Sequence, residues 1–190
     1  MKLNPSFKQR LPWILLIIVT ALLIAVLFNN RYPIFQKSLY SLEKIDIAWM
    51  GYTNQKVVAL TFDDGPDPVY TPLILKILQR YHVPATFFVE GANVKKYPAV
   101  LREEIKNGHL IGNHTYTHPH LSTLSPLHVK KEIAATDQVV RTITSQATHY
   151  FRPPYEELTE QILLDSREQH KQIILSTVTL EHELAKTPRA

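Results

Sequence analysis

The chain has 190 residues, no cysteine, a hydrophobic share of 45% and a formal net charge of +4. That length suits one ordinary domain plus an additional segment, and the composition is that of a globular protein rather than a disordered one. Disulfides and thiol chemistry are excluded, any transition-metal site must use histidine and carboxylate, and the scattered lysines and arginines make no nucleic-acid surface.

Leu11 to Phe28, LPWILLIIVTALLIAVLF, is an uncharged run of eighteen residues. As a helix it would be roughly 27 Å long, close to the hydrocarbon thickness of a bilayer. Trp13 suits the headgroup interface at one end, and Asn29-Asn30-Arg31-Tyr32-Pro33 ends the run at the other. Lys2, Lys8 and Arg10 precede it. This predicts an uncleaved signal anchor in the cell membrane, with residues 1–10 cytoplasmic and the remainder exported. A cleaved signal peptide is the alternative, although its apolar region usually runs about 7–15 residues and ends in small residues. Residues 29–54 read as a connector with a weak amphipathic pattern, Leu39, Leu42, Ile45, Ile47 and Trp49. Residues 55–190 read as the functional domain.

Lys56 to Phe62 is predicted as a strand, with Val57-Val58-Ala59-Leu60 buried, and it gives out into Thr61-Phe62-Asp63-Asp64-Gly65-Pro66-Asp67-Pro68. Thr71-Pro72 opens a helix carrying Leu73, Ile74, Ile77 and Leu78. Ala85–Val89 is the next strand, Tyr97–Asn107 a helix stopped by Gly108, and His109–Asn113 a short strand. Ser125-Pro126 starts a long helix to about Thr144; His149–Phe151 is strand-like, Glu156–Gln169 helical and Gln172–Ser176 a strand. Such alternation predicts an α/β fold, parallel strands joined by crossover helices in a layer or barrel. In these folds function collects at the C-terminal ends of strands, where all the polar clusters fall.

Three clusters carry chemistry. Asp63-Asp64 is either an Asp-rich turn or a pair of carboxylates placed at a strand mouth. In Asn113-His114-Thr115-Tyr116-Thr117-His118-Pro119-His120, the four-residue spacing of His114 and His118 lets two imidazoles face one point on a helical turn. Two histidines and a carboxylate are a familiar ligand set for a catalytic zinc or similar ion, whereas surface histidines are the plainer reading. His120 is a poorer ligand, because Pro119 turns the chain before it. Phe151-Arg152-Pro153-Pro154-Tyr155 is either a rigid polyproline loop or a device that sends Arg152 to an acid and points the N–H of Tyr155 into the mouth.

TFDDGP, HTYTH and RPPY, in that order and together with ATFFVEG and GHLIGNHTYTH, resemble the polysaccharide deacetylases of carbohydrate esterase family four. The likeness runs from about Lys56 to at least Ser176. It implies an irregular (β/α) barrel that removes acetyl groups from N-acetylated or O-acetylated sugars. Carried over residue by residue, Asp64, His114 and His118 would hold a divalent ion, zinc in the first instance, with cobalt, nickel or manganese as alternatives. Asp63 would be the general base, Arg152 its partner, and the N–H of Tyr155 an oxyanion donor, with Pro153 and Tyr155 against the substrate. The implied partner is an acetylated polysaccharide, such as a cell-wall or chitin-like N-acetylglucosamine polymer, reached from the membrane through the N-terminal helix. No nucleic acid is implied, and the oligomeric state is open.

The chain departs from the family pattern after Ser176. Thr177-Val178-Thr179-Leu180-Glu181-His182-Glu183 lacks the tryptophan of the fourth motif, and the histidine of the fifth motif, which protonates the leaving amine, has no counterpart. About five strand–helix units are too few to close a barrel of seven or eight strands, so the barrel is expected to be C-terminally incomplete. The competing expectation is a catalytically defective, membrane-anchored protein that binds glycan or metal on the same fold. A metalloprotease is excluded, because the HxxxH here lacks the glutamate that supplies the base.

Overall fold

The computed structural model describes residues 47–51 and 53–179. The anchor run, most of the connector, and Glu181 and His182 lie outside the described residues. Backbone contacts divide the chain between Lys44 and Ile45, and every described residue belongs to the C-terminal unit, Ile45–Ala190. Among the described residues, no helix is long and apolar enough to cross a membrane.

The strands are β1 (Ile47–Ala48), β2 (Thr61–Gly65), β3 (Thr86–Val89), β4 (Leu110–Asn113), β5 (Tyr150–Phe151) and β6 (Gln172–Ile174). They form one sheet in the order β1-β6-β5-β4-β3-β2, and every neighbouring pair is parallel. Parallel neighbours require crossovers, and five helices supply them: α1 (Tyr70–Tyr81), α2 (Gly91–Lys96), α3 (Pro98–Lys106), α4 (Pro126–Thr144) and α5 (Glu160–Glu168). The expected α/β architecture is present. Among the described residues the sheet is open, with β1 and β2 at its edges.

Phe62, Phe87 and Ile111 pair across β2, β3 and β4 on the face that meets Leu75, Leu78, Leu101 and Val140 of the helices. A second cluster, Leu121, Val129, Ile133, Phe151, Ile162 and Ile173, closes the β5–β6 end. Burying one such side chain stabilises the fold by about 1.5–3 kcal/mol.

Several sequence expectations shift. The strand expected at Lys56–Phe62 is β2, Thr61–Gly65, and the apolar run ahead of it is exposed, with Val58 at 94%. No neighbour covers that run among the described residues, so its β-branched character signals strand propensity without burial. In α1 the inward stripe is Thr71, Leu75 and Leu78, while Leu73 and Ile77 face outward. Ile47–Ala48, within the stretch read as a connector, pairs with β6 and is the sheet's outer strand. The α2 helix is an element the sequence reading did not separate from the segment before Tyr97.

Candidate functional site

The acids sit on β2, the strand paired to β3. Residues two apart in a strand share a face, so Thr61 and Asp63 point together, opposite Phe62, which stacks on Phe87 at 5.1 Å between ring centroids. Arg152, the residue after β5, reaches this face from 89 positions away in the chain: its Nη1 donates to Asp63 Oδ1 at 2.7 Å and to Thr61 Oγ1 at 2.9 Å. The same guanidinium donates through Nε to the Ile174 carbonyl at 3.1 Å and lies 4.2 Å from the Phe88 ring centroid. With its side chain only 4% exposed, Arg152 is locked on three sides, and Asp63 is aligned by a donor that cannot wander.

Asp64 turns away from that pairing. Its backbone takes a left-handed φ of 65°, which sends its carboxylate toward the histidines. Asp64 Oδ1 lies 3.4 Å from the Nε2 of His114 and 3.4 Å from the Nε2 of His118. The three ligand atoms lie within 4.8 Å of one another. His114 is nearly buried and its Nδ1 pairs with the Arg152 carbonyl at 2.7 Å. A carbonyl only accepts, so Nδ1 carries a proton and Nε2 is the ring atom turned toward Asp64.

The histidine segment is not the helical turn its spacing suggested. It is a loop with left-handed residues at Thr115 (φ 67°) and His118 (φ 56°), and it is held from outside. Glu132 of α4 accepts the N–H groups of Tyr116 and Thr117 at 2.9 and 2.8 Å. Asn113, fully buried, accepts from the Thr115 N–H at 2.9 Å and donates to the Ile133 carbonyl and to Asp137. Asp137 in turn pairs with the buried Lys171, so the loop rests on a polar network running down to β6. Each member has a partner, which a buried network requires to be stable.

The electrostatics of the ligands favour a cation. The hydrogen bond from His114 holds the Asp64 carboxyl below its usual range, against the upward push of partial burial. Burial lowers His118, with the His114 charge adding to it. An ionised carboxylate and neutral imidazoles are the forms that ligate a divalent ion, and both ligand type and spacing fit a three-residue site with positions left for water and substrate.

Tyr155 lies at the rim, 57% exposed, with its own φ at 56°. Its ring meets His118 edge-on at 4.8 Å and stacks on His120 at 3.9 Å with planes 8° apart. His120 is outside the ligand group; its Nδ1 pairs with Glu157 Oε1 at 2.6 Å. Pro153, expected against the substrate, is instead buried, and its carbonyl accepts the Glu156 N–H at 3.0 Å. It shapes the turn beneath Tyr155 and offers little surface to a sugar. The sequence reading missed Thr61, Phe88, Glu90, Asn93 and Glu132 as supports of the site. Only the position of Glu90-Gly91 directly after a strand could have marked that pair, by the same strand-end logic used for Asp63.

The family model described as polysaccharide deacetylase matches residues 50–173, and so takes in all three clusters. The chain belongs to the polysaccharide deacetylase family. Its relatives include a peptidoglycan-N-acetylglucosamine deacetylase of Bacillus cereus, 40% identical over 132 residues that make 70% of this chain and 48% of that protein. A peptidoglycan-N-acetylmuramic acid deacetylase of Bacillus subtilis, PdaA, is 36% identical over 73% of this chain and 54% of that protein. Among solved structures, the Bc1960 peptidoglycan N-acetylglucosamine deacetylase aligns with a TM-score of 0.67 and 39% identity over 70% of this chain and 62% of that one. The chain thus spans about half the length of these curated relatives.

Proposed function

We propose that this site hydrolyses acetyl groups from an N-acetylated, or O-acetylated, cell-wall or chitin-like polysaccharide outside the cytoplasm, with the protein anchored through Leu11–Phe28. The observation that carries the proposal is the division of labour between adjacent aspartates: Asp63 is held by Arg152 at 2.7 Å while Asp64 turns to His114 and His118 at 3.4 Å each. A turn of merely solvated acids would not aim neighbouring carboxylates at a cation and at a two-histidine cleft respectively. Family membership and the names of the relatives support the substrate class.

Asp64, His114 and His118 would hold a divalent ion, zinc in the first instance, and such an ion would supply Lewis-acid polarisation of the acetyl carbonyl and of water. Asp63, oriented by Arg152, takes the proton of the attacking water. The N–H of Tyr155 donates to the carbonyl oxygen as negative charge develops there. The Tyr155 ring, seated on His120, is a flat exposed wall beside the ligands against which a sugar ring can lie.

The test is acetate release from N-acetylglucosamine oligomers and from peptidoglycan, with and without chelator. Activity is expected to vanish on chelation and return with zinc, and Asp63→Asn is expected to lower kcat by at least 10²-fold, the low end for loss of a general base. Undiminished turnover in Asp63→Asn would remove Asp63 from that role. Binding of the oligomers with no acetate released by the unaltered chain would favour the binding-only alternative.

A further inference from the structure

Asp64 is the most exposed of the three ligands: its side chain is 65% accessible, against 4% for His114 and 22% for His118. It also sits on a backbone conformation that a non-glycine residue adopts at a cost, φ 65°. Something outside the ligand set must hold it, and the short helix α2 is placed to do so. At its start, the Gly91 N–H donates to the Thr115 carbonyl and the Ala92 N–H to the Tyr116 carbonyl, each at 3.0 Å, which ties the helix to the histidine loop. Two residues on, the Asn93 side chain reaches the other way. Its Nδ2 donates to the Asp64 carbonyl at 3.0 Å and to Glu90 Oε2 at 3.2 Å. Both partners are acceptors, which fixes the amide end that faces them. The Glu90 N–H completes the brace by donating to the Gly65 carbonyl at 2.9 Å.

We infer that Asn93 is a positioning residue for the metal centre, holding Asp64 in its left-handed conformation and coupling that ligand through α2 to the loop that carries His114 and His118. The segments bearing the ligands are far apart in sequence, and α2 makes hydrogen bonds to both. The inference rests on the metal-centre part of the proposed function and adds a residue outside the ligand set. Supports of this kind commonly change metal affinity by 10–100-fold when removed.

The experiment is competition of Zn(II) and Co(II) against a chromophoric chelator, using the full chain and its Asn93→Ala and Asn93→Leu variants. The leucine variant keeps helix propensity and bulk while deleting both donors, so it remains informative if the alanine variant folds poorly. The expected result is 10–100-fold weaker binding of both ions and an altered Co(II) visible spectrum, with the thermal midpoint of the metal-free chain unchanged. Acetate release should return at saturating Zn(II) with KM for the sugar oligomer unaltered. Affinity equal to that of the unaltered chain in both variants would overturn the inference, and so would weaker binding accompanied by a matching loss of metal-free stability. Because metal affinity is read without turnover, a chain whose zinc affinity depends on Asn93 but which releases no acetate would sink the activity and leave the Asn93 role standing.

Discussion

At the scale of single residues, the chain places charged groups where burial alone would forbid them, and each has an identifiable cost or partner. Arg152 is buried but satisfied by Asp63, Thr61 and the Ile174 carbonyl. Glu104 of α3 is the opposite case: it is fully buried, both carboxylate oxygens lack a partner, and burial pushes its pKa up to about 8. The folded state therefore keeps a proton that the unfolded chain releases near pH 4.5. Between that value and about 8, the unfolded state binds fewer protons, so stability falls as pH rises, by up to about 1.4 kcal/mol per pH unit. Glu104→Gln should flatten the profile across this window, measured as the urea midpoint from pH 4.5 to 8. An unchanged slope would mean that Glu104 does not titrate as its burial implies.

At the scale of elements, close approach decides more than propensity does. Gly91, where α2 leaves β3, is buried against α4 and the histidine loop; a Cβ there would come within 2.3 Å of Tyr116 Cδ2 and 2.7 Å of Thr136 Oγ1. Gly91→Ala must push α2 off those neighbours and is expected to cost about 1–3 kcal/mol, read from chemical denaturation, and to weaken metal binding as the brace shifts. A neutral effect would mean that α2 has room the geometry denies it. Helix α1 offers a second check, because apolar residues lie on both sides of it. Leu75 is buried and Ile77 is 58% exposed. Leu75→Ala should cost about 2–5 kcal/mol, whereas Ile77→Lys should stay within about 0.5 kcal/mol. The reverse order would put the core on the wrong face of α1. Periodicity announces α1 without choosing between its two apolar stripes, and the choice falls to Phe62, Phe87 and Leu101, which pack with Leu75 and Leu78.

At the scale of the whole molecule, the strand order sets the site. A parallel sheet brings the C-terminal ends of β2, β4 and β5 to one edge, so Asp63 and Asp64, His114, and Arg152 meet although the outermost of them are 89 residues apart. The proposed anchor would hold the domain at the outer face of the membrane. The full chain is expected to remain with the membrane after an alkaline carbonate wash, and its domain to be reached by protease added outside spheroplasts. Release by the wash, or protection from the protease, would remove the anchor or reverse its orientation. This follows from the charge asymmetry of Lys2, Lys8 and Arg10 about an uncharged run, which is a property of the sequence alone.

Alternating apolar runs and helical periods were enough to read the parallel α/β class; acids, histidines and arginine following strand-like runs drew attention to three clusters, but their roles came only from the resemblance of the ordered motifs. Such signals are local: turn chemistry and side-chain period act over a few residues and can be read without knowing what lies opposite. The remainder depended on distant partners. Spacing suggested a helical turn for His114 and His118, but Glu132 and Asn113 supply hydrogen bonds that stabilise a left-handed loop instead. The valines before Thr61 have strand character but no neighbour among the described residues to bury them, and Pro153 is buried. The brace from Asn93 to Asp64 spans 29 residues and joins two segments with no common pattern. Contacts of that kind exist only where the sheet has aligned its strands, because they join groups that are distant in the chain.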